Sequence, residues 1–134
     1  MNSAQLLRQQ GLRATGPRLA VLAWLQAHPT PVSVDGLRLK LKASAIDRVT
    51  LYRILESLRE VNLVRTVDLR HGHAHYEFND PARHHHHLVC EECGSVTDVK
   101  IENGERAVRQ LARRHTFQVR SHSLEIFGRC AKCQ

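Results

Sequence analysis

In residues 44–62 the apolar positions Leu51, Ile54, Leu55 and Leu58 recur at intervals of three and four, which at 100° per residue is one stripe of a helix. Val49, Tyr52, Arg53, Glu56 and Glu60 fall on the opposite face. The spacing predicts a helix within "SAIDRVTLYRILESLREVN", with Asp47 as its cap. Three shorter helices are predicted before it. Ser3 caps the first, which ends at Gly11. Thr15 caps the second and Pro17 sits in its first turn; Leu19, Leu22 and Leu25 share a face, and His28-Pro29 stops it. Ser33 caps the third, which carries Val34, Leu37 and Leu41.

Beyond the fourth helix the period changes to two. Leu63, Val67 and Leu69 are in strand phase, His71-Gly72 signals a turn, and Tyr76 and Phe78 share a phase on the return strand. Several short helices followed by a two-stranded hairpin is the order of a winged helix, a helix-turn-helix variant. The polar, turn-forming "NDPAR" (residues 79–83) reads as a hinge. After it, Val99 and Ile101, Phe117 and Val119, and Leu124 and Ile126 alternate as in strands. Between them "NGERAVRQLARRH" reads as a helix with Ala107, Val108, Leu111 and Ala112 inward. The expected fold class is α+β. Residues 1–78 form a winged-helix domain, 79–83 a hinge, and 84–134 a small α/β unit that cannot bury much by itself.

Charge sharpens this division. The chain carries +7, but residues 1–55 hold eight basic and two acidic side chains and the remainder twelve and eleven. A basic half beside a balanced half suits a polyanion partner for the first half, or a charge kept for solubility. Together with the winged-helix order it favours DNA. No apolar run approaches the ~20 residues of a membrane span, and the polar N-terminus does not read as a signal peptide.

Two C-x-x-C pairs, Cys90/Cys93 and Cys130/Cys133, supply four soft thiolates, the tetrahedral set of a structural zinc site. Disulfides are the weaker reading where no secretory signal is seen. The thirty-six residues between the pairs exceed a zinc-ribbon spacing, so the α+β unit itself must bring them together, stapling its start to its end. Closed four-sulphur sites keep no open position and are not catalytic. One such site leaves His84–His87 unexplained. In an extended run His84 and His86 point one way and His85 and His87 the other, enough for two further sites. Glu77 lies just upstream.

These residues resemble the ferric uptake regulator family of bacterial metal-responsive repressors. The resemblance covers the whole chain, through "GLRATGPRLAVL", "RVTLYRILESLREVNLV", "HHHHLVCEECG" and "HSLEIFGRCAKC". It implies an N-terminal winged helix and a C-terminal α/β dimerisation domain acting as a homodimer on a double-stranded DNA operator in the cytoplasm. The family's DNA-contacting residues match Arg13, Arg18, Tyr52 and Arg53. Its structural zinc matches Cys90, Cys93, Cys130 and Cys133. One further metal site matches His84, His86, Glu105 and His122. The sensing site matches Glu77, His85 and His87.

The chain departs from the family at Pro31, where many members place a histidine that ligates the sensing metal. His28 lies three residues earlier; His73 and His75, in the hairpin, are the candidates to replace the missing ligand. Zinc-sensing members often add a cysteine, and none is spare here. Peroxide-sensing members often have aspartate where Glu105 stands. The expectation is a repressor of metal-uptake genes holding structural Zn2+ and responding to Fe2+, with Zn2+ or Mn2+ as alternatives. A zinc- or peroxide-sensing member is the second reading. A metalloenzyme or metal carrier is the third; Glu77 and Glu105 are better used as ligands than as catalytic groups, and a carrier would not explain the winged helix.

Overall fold

Thr15, Ser33 and Asp47 each turn a side-chain oxygen onto the backbone N–H three residues on, at 3.5, 3.0 and 2.7 Å. Each answers one of the N–H groups that a helix leaves unpaired at its start. They open α2 (Gly16–Ala27), α3 (Val34–Lys40) and α4 (Arg48–Glu60) in a computed structural model that describes residues 1–80, 85–120 and 122–134. The bond from Thr50 also holds the Asp47 carboxyl below its usual range. In α1 (Ser3–Gln9) the cap is Asn2, not Ser3. Asn2 and Gln5 bond each other's backbone N–H in a reciprocal capping box, which places the helix start one residue earlier than expected.

The chain divides into two units, Met1–Pro81 and Ala82–Gln134. In the first, Leu51, Ile54, Leu55 and Leu58 of α4 are buried against Leu7, Val21, Leu22, Leu25 and Leu37 of the other three helices. Removing one such leucine side chain costs roughly 2–5 kcal/mol. Leu19 packs against this cluster only partly, and Val21 takes the buried place beside Leu22. The core therefore claims one face of α4 and leaves Val49, Tyr52 and Arg53 exposed.

The hairpin is β2 (Val64–Val67) and β3 (His75–Phe78), joined by a seven-residue loop. A two-residue strand, β1 (Val32–Ser33), adds to it, giving the order β1-β3-β2 with antiparallel pairing throughout. Nothing in the periodicity marks β1; two residues are too few to show a period, and only pairing with Tyr76 and His75 makes them a strand. Being central, β3 has no solvent edge, and His75, Tyr76 and Glu77 are all buried despite the alternation expected of Tyr76 and Phe78.

In the second unit β4 (His86–Cys90) is central, antiparallel to β5 (Val96–Val99) and parallel to β6 (Glu125–Gly128). Helix α5 (Gly104–Arg114) lies between β5 and β6 in sequence. Two expectations change here. Ala107 and Leu111 of α5 are exposed, and only Val108 and Ala112 are partly covered. Phe117 and Val119 lie outside any strand and are exposed, as are Leu124 and Ile101. A strand needs a ladder to join and an amphipathic helix needs a layer to cover, and one copy of so short a unit supplies neither. Among the described residues no helix is long and apolar enough to cross a membrane.

Candidate metal centres and nucleic-acid interface

The four cysteines converge. Their sulphurs lie within 4.8 Å of one another, Cys93 to Cys130 at 3.7 Å and Cys130 to Cys133 at 3.5 Å. Tetrahedral zinc–sulphur bonds of about 2.3 Å place sulphurs about 3.8 Å apart, so the set fits zinc with little adjustment. Cys90 is positioned by β4, and Gly94, at φ 74°, returns its N–H to the Cys90 carbonyl at 3.0 Å. Cys130 follows β6 and donates its backbone N–H to Cys90 Sγ at 3.3 Å. N–H groups of Cys93 and Cys130 aimed at Cys90 draw its thiol down to about 6. Cys93 is also lowered, chiefly by Ser95, whereas bonding to Cys130 and Cys90 pushes Cys133 up to about 12. Donors favour one thiolate while crowding opposes the next, and a dication is the charge that would let all four ionise.

Of the further histidine site, the structure brings three members together within the second unit. The His86 and His122 rings are 5.5 Å apart, and His122 Nε2 is 3.6 Å from Glu105 Oε1 in the first turn of α5. His84 lies outside the described residues. An imidazole pair with a carboxylate suits zinc, iron or similar borderline cations.

The residues matched to the sensing site sit in both units. Glu77, on β3, is fully buried and is gripped by Arg65 on β2, whose Nε and Nη2 both reach the same carboxylate oxygen at 2.5 Å. The pair stands directly across the ladder. In the second unit the His85 and His87 rings meet edge to face at 5.1 Å, and His87 is buried. Register surrounds His87 with carboxylates. Asp98 on β5 and Glu125 on β6 are its cross-strand partners, each with an oxygen 3.7 Å from the ring, Asp98 at Nε2 and Glu125 at Nδ1. Sequence reasoning singled out neither acid; their one signal, an acidic residue in each flanking strand, acquires meaning only through pairing.

Pro31 is buried, and His28 is turned back on its own helix, its ring stacked 4.0 Å from Trp24 with Nδ1 2.8 Å from the Trp24 carbonyl. His73 and His75 stack on each other in the hairpin, and His75 is buried. Burial, with the charges of His73 and His71 beside it, lowers the His75 pKa.

The residues matched to DNA contact lie on α4 and at the entrance to α2. Tyr52 is 52% exposed and Val49 61%, so phenol and methyls stand open beside the Arg53 guanidinium. A cleft of about 430 Å³ runs past Tyr52, Arg53 and Arg48 to His73 in the loop of the hairpin. Arg48 is held by Asp35 of α3 at 3.1 Å. Arg13 is exposed at the entrance to α2, and Arg18 Nη1 donates back to the Arg13 carbonyl at 3.2 Å. Arg18 thus braces the turn that presents Arg13.

The sequence profile described as the ferric uptake regulator family matches residues 9–127. The chain belongs to the ferric uptake regulator family. It is 34% identical over 137 residues to the ferric uptake regulation protein of Legionella pneumophila, with both chains covered in full. It resembles the Pseudomonas aeruginosa ferric uptake regulator solved with manganese, at TM-score 0.84 and 25% identity over 98% of this chain and 99% of that one. It also resembles a zinc uptake regulator solved in complex with zinc and DNA, at TM-score 0.67 and 26% identity over 96% of this chain and 88% of that one.

Proposed function

We propose that this family member is a metal-responsive repressor of metal-uptake genes that works as a homodimer in the cytoplasm and has no catalytic role. The observation that carries the reading is the open face of α4, where Tyr52 and Arg53 stand exposed while the leucine stripe behind them is fully packed. Arginine pairs with guanine edges in the major groove, tyrosine and the Arg13 region contact phosphates, and Val49 suits a thymine methyl. Two copies would place two α4 helices in successive major grooves, about 34 Å apart. Support for the second copy comes from Leu111, Phe117, Val119, Leu124 and Ile126, an apolar set left exposed on the second unit.

Metal responsiveness rests on the ligand groups. Cys90, Cys93, Cys130 and Cys133 hold structural zinc. Glu77, His85 and His87 hold the sensing metal, with Asp98 and Glu125 next to His87 as further carboxylates. His84, His86, Glu105 and His122 hold an additional metal. When the sensing ligands close on a cation, the orientations open to the α4 helices narrow toward the one that fits an operator. Because Arg65 grips Glu77, the metal and Arg65 compete for that carboxylate, and affinity reflects the difference. Iron is the favoured inducer, in keeping with the named role of the Legionella relative; zinc and manganese are the alternatives.

The test is anaerobic purification with metal analysis, followed by binding to duplexes selected from a random pool, with Fe2+, Zn2+ or Mn2+ added stepwise. The expected result is specific binding that rises with one of these metals and falls steeply with salt. Binding to no selected duplex under any metal would overturn the reading.

A further inference from the structure

The resemblance offers His73 and His75 as substitutes for one missing sensing ligand, but within the first unit they keep other company. Residues 68–74 join β2 to β3. Asp68 Oδ1 accepts the Arg70 N–H at 2.9 Å, and Arg70 and Gly72 both adopt left-handed backbone, at φ 60° and 81°. Those two residues fold the loop so that His71 returns over His75. The His71 and His75 rings stand 5.2 Å apart, edge on; His73 and His75 stack at 4.8 Å; His71 and His73 are 6.4 Å apart.

Three imidazoles bound to one tetrahedral ion have ring centres about 5 Å apart. Two of the three pairs are already at that spacing, and rotation of the exposed His71 side chain closes the third. His75 is only 8% exposed, and its Nδ1 is buried with no hydrogen-bond partner among the described residues. A buried polar nitrogen left so is costly, and a cation is one partner that would satisfy it while drawing on the two neighbouring rings.

We infer that His71, His73 and His75 form a separate metal site in the wing loop, taking a borderline divalent transition cation of the zinc and nickel kind. An all-imidazole set with no sulphur and no cluster of carboxylates suits these cations better than magnesium or calcium. Because His73 also lines the cleft beside Tyr52 and Arg53, loading this site fixes one wall of the recognition face.

The experiment uses the full chain with its cysteine zinc retained and titrates zinc against a competing chromophoric chelator. Four proteins are compared: wild type, His71→Ala/His73→Ala, His87→Ala, and all three substitutions combined. His71 and His73 are exposed, so their removal leaves the fold intact. Wild type is expected to bind one equivalent more than His71→Ala/His73→Ala. His87→Ala should lose a different equivalent, and the combined variant both. Zinc should slow amide hydrogen exchange across residues 68–78 by about tenfold in wild type and in His87→Ala, but not in the wing variant. If the wing variant and His87→Ala lose the same equivalent, the wing histidines belong to the sensing site and the inference fails. It fails equally if the wing variant binds as much zinc as wild type.

Discussion

The Tyr76 hydroxyl on β3 donates to Glu56 Oε1 on α4 at 3.2 Å, tying the hairpin to that helix. Glu56 is in turn held by Arg59 at 3.0 Å, so it stays paired if the phenol is lost. Tyr76→Phe should therefore cost only about 1 kcal/mol, the net worth of one hydrogen bond. Urea unfolding of the two proteins checks it.

The same bond sets a pH dependence. Burial, reinforced by Glu56, raises the Tyr76 pKa from 10.0 to about 12. A group whose folded pKa is raised contributes stability that is fully present below the unfolded value and lost as pH climbs through the folded one. Wild type should thus lose stability relative to Tyr76→Phe between pH 10 and about 12, and the difference should be flat at lower pH. A gap between the two unfolding midpoints that does not narrow over that window would show that the phenol ionises freely.

Arg53→Ala should weaken binding to a selected operator by roughly 1–3 kcal/mol and relax preference at one base pair. Arg53 is exposed, so helix content and metal content should not change. Equal affinity of the two proteins would place recognition on another face.

Cys93→Ser should remove tightly bound zinc and unfold the second unit. Among its described residues that unit contributes only Val89 and Cys90 to the buried apolar set, too little to hold three strands and a helix without the metal. Metal analysis with circular dichroism is the check, and a folded, zinc-free dimer is the result that would refute the structural role.

His87→Ala should abolish metal-activated DNA binding while the cysteine zinc remains. His122→Ala, which removes a ligand beside His86 and Glu105 within the second unit, should weaken the response more mildly. DNA affinity measured against free metal separates them. A lost response in His122→Ala with an intact one in His87→Ala would mean the sensing role sits on the other side of the histidine run.

What could be read from the chain alone was whatever lies within one or two helical turns. The stripe of Leu51, Ile54, Leu55 and Leu58 is a local period, and Thr15, Ser33 and Asp47 bond N–H groups three residues away, so neither depends on distant chain. The cysteine pairs carry their chemistry in their spacing. Other features depend on which strand lies beside which. Val32–Ser33 is a strand only because β3 is its neighbour, and Asp98 and Glu125 flank His87 only through the registers of β4 with β5 and β6. Positive φ at Arg70 and Gly72 folds His71 back onto His75, and no alternation pattern reports that. The inward reading of Ala107 and Leu111 and the strand reading of Phe117 and Val119 failed within one copy for a related reason. Periodicity tells which side of an element is apolar, but what covers that side is decided by pairing and packing between residues far apart in sequence.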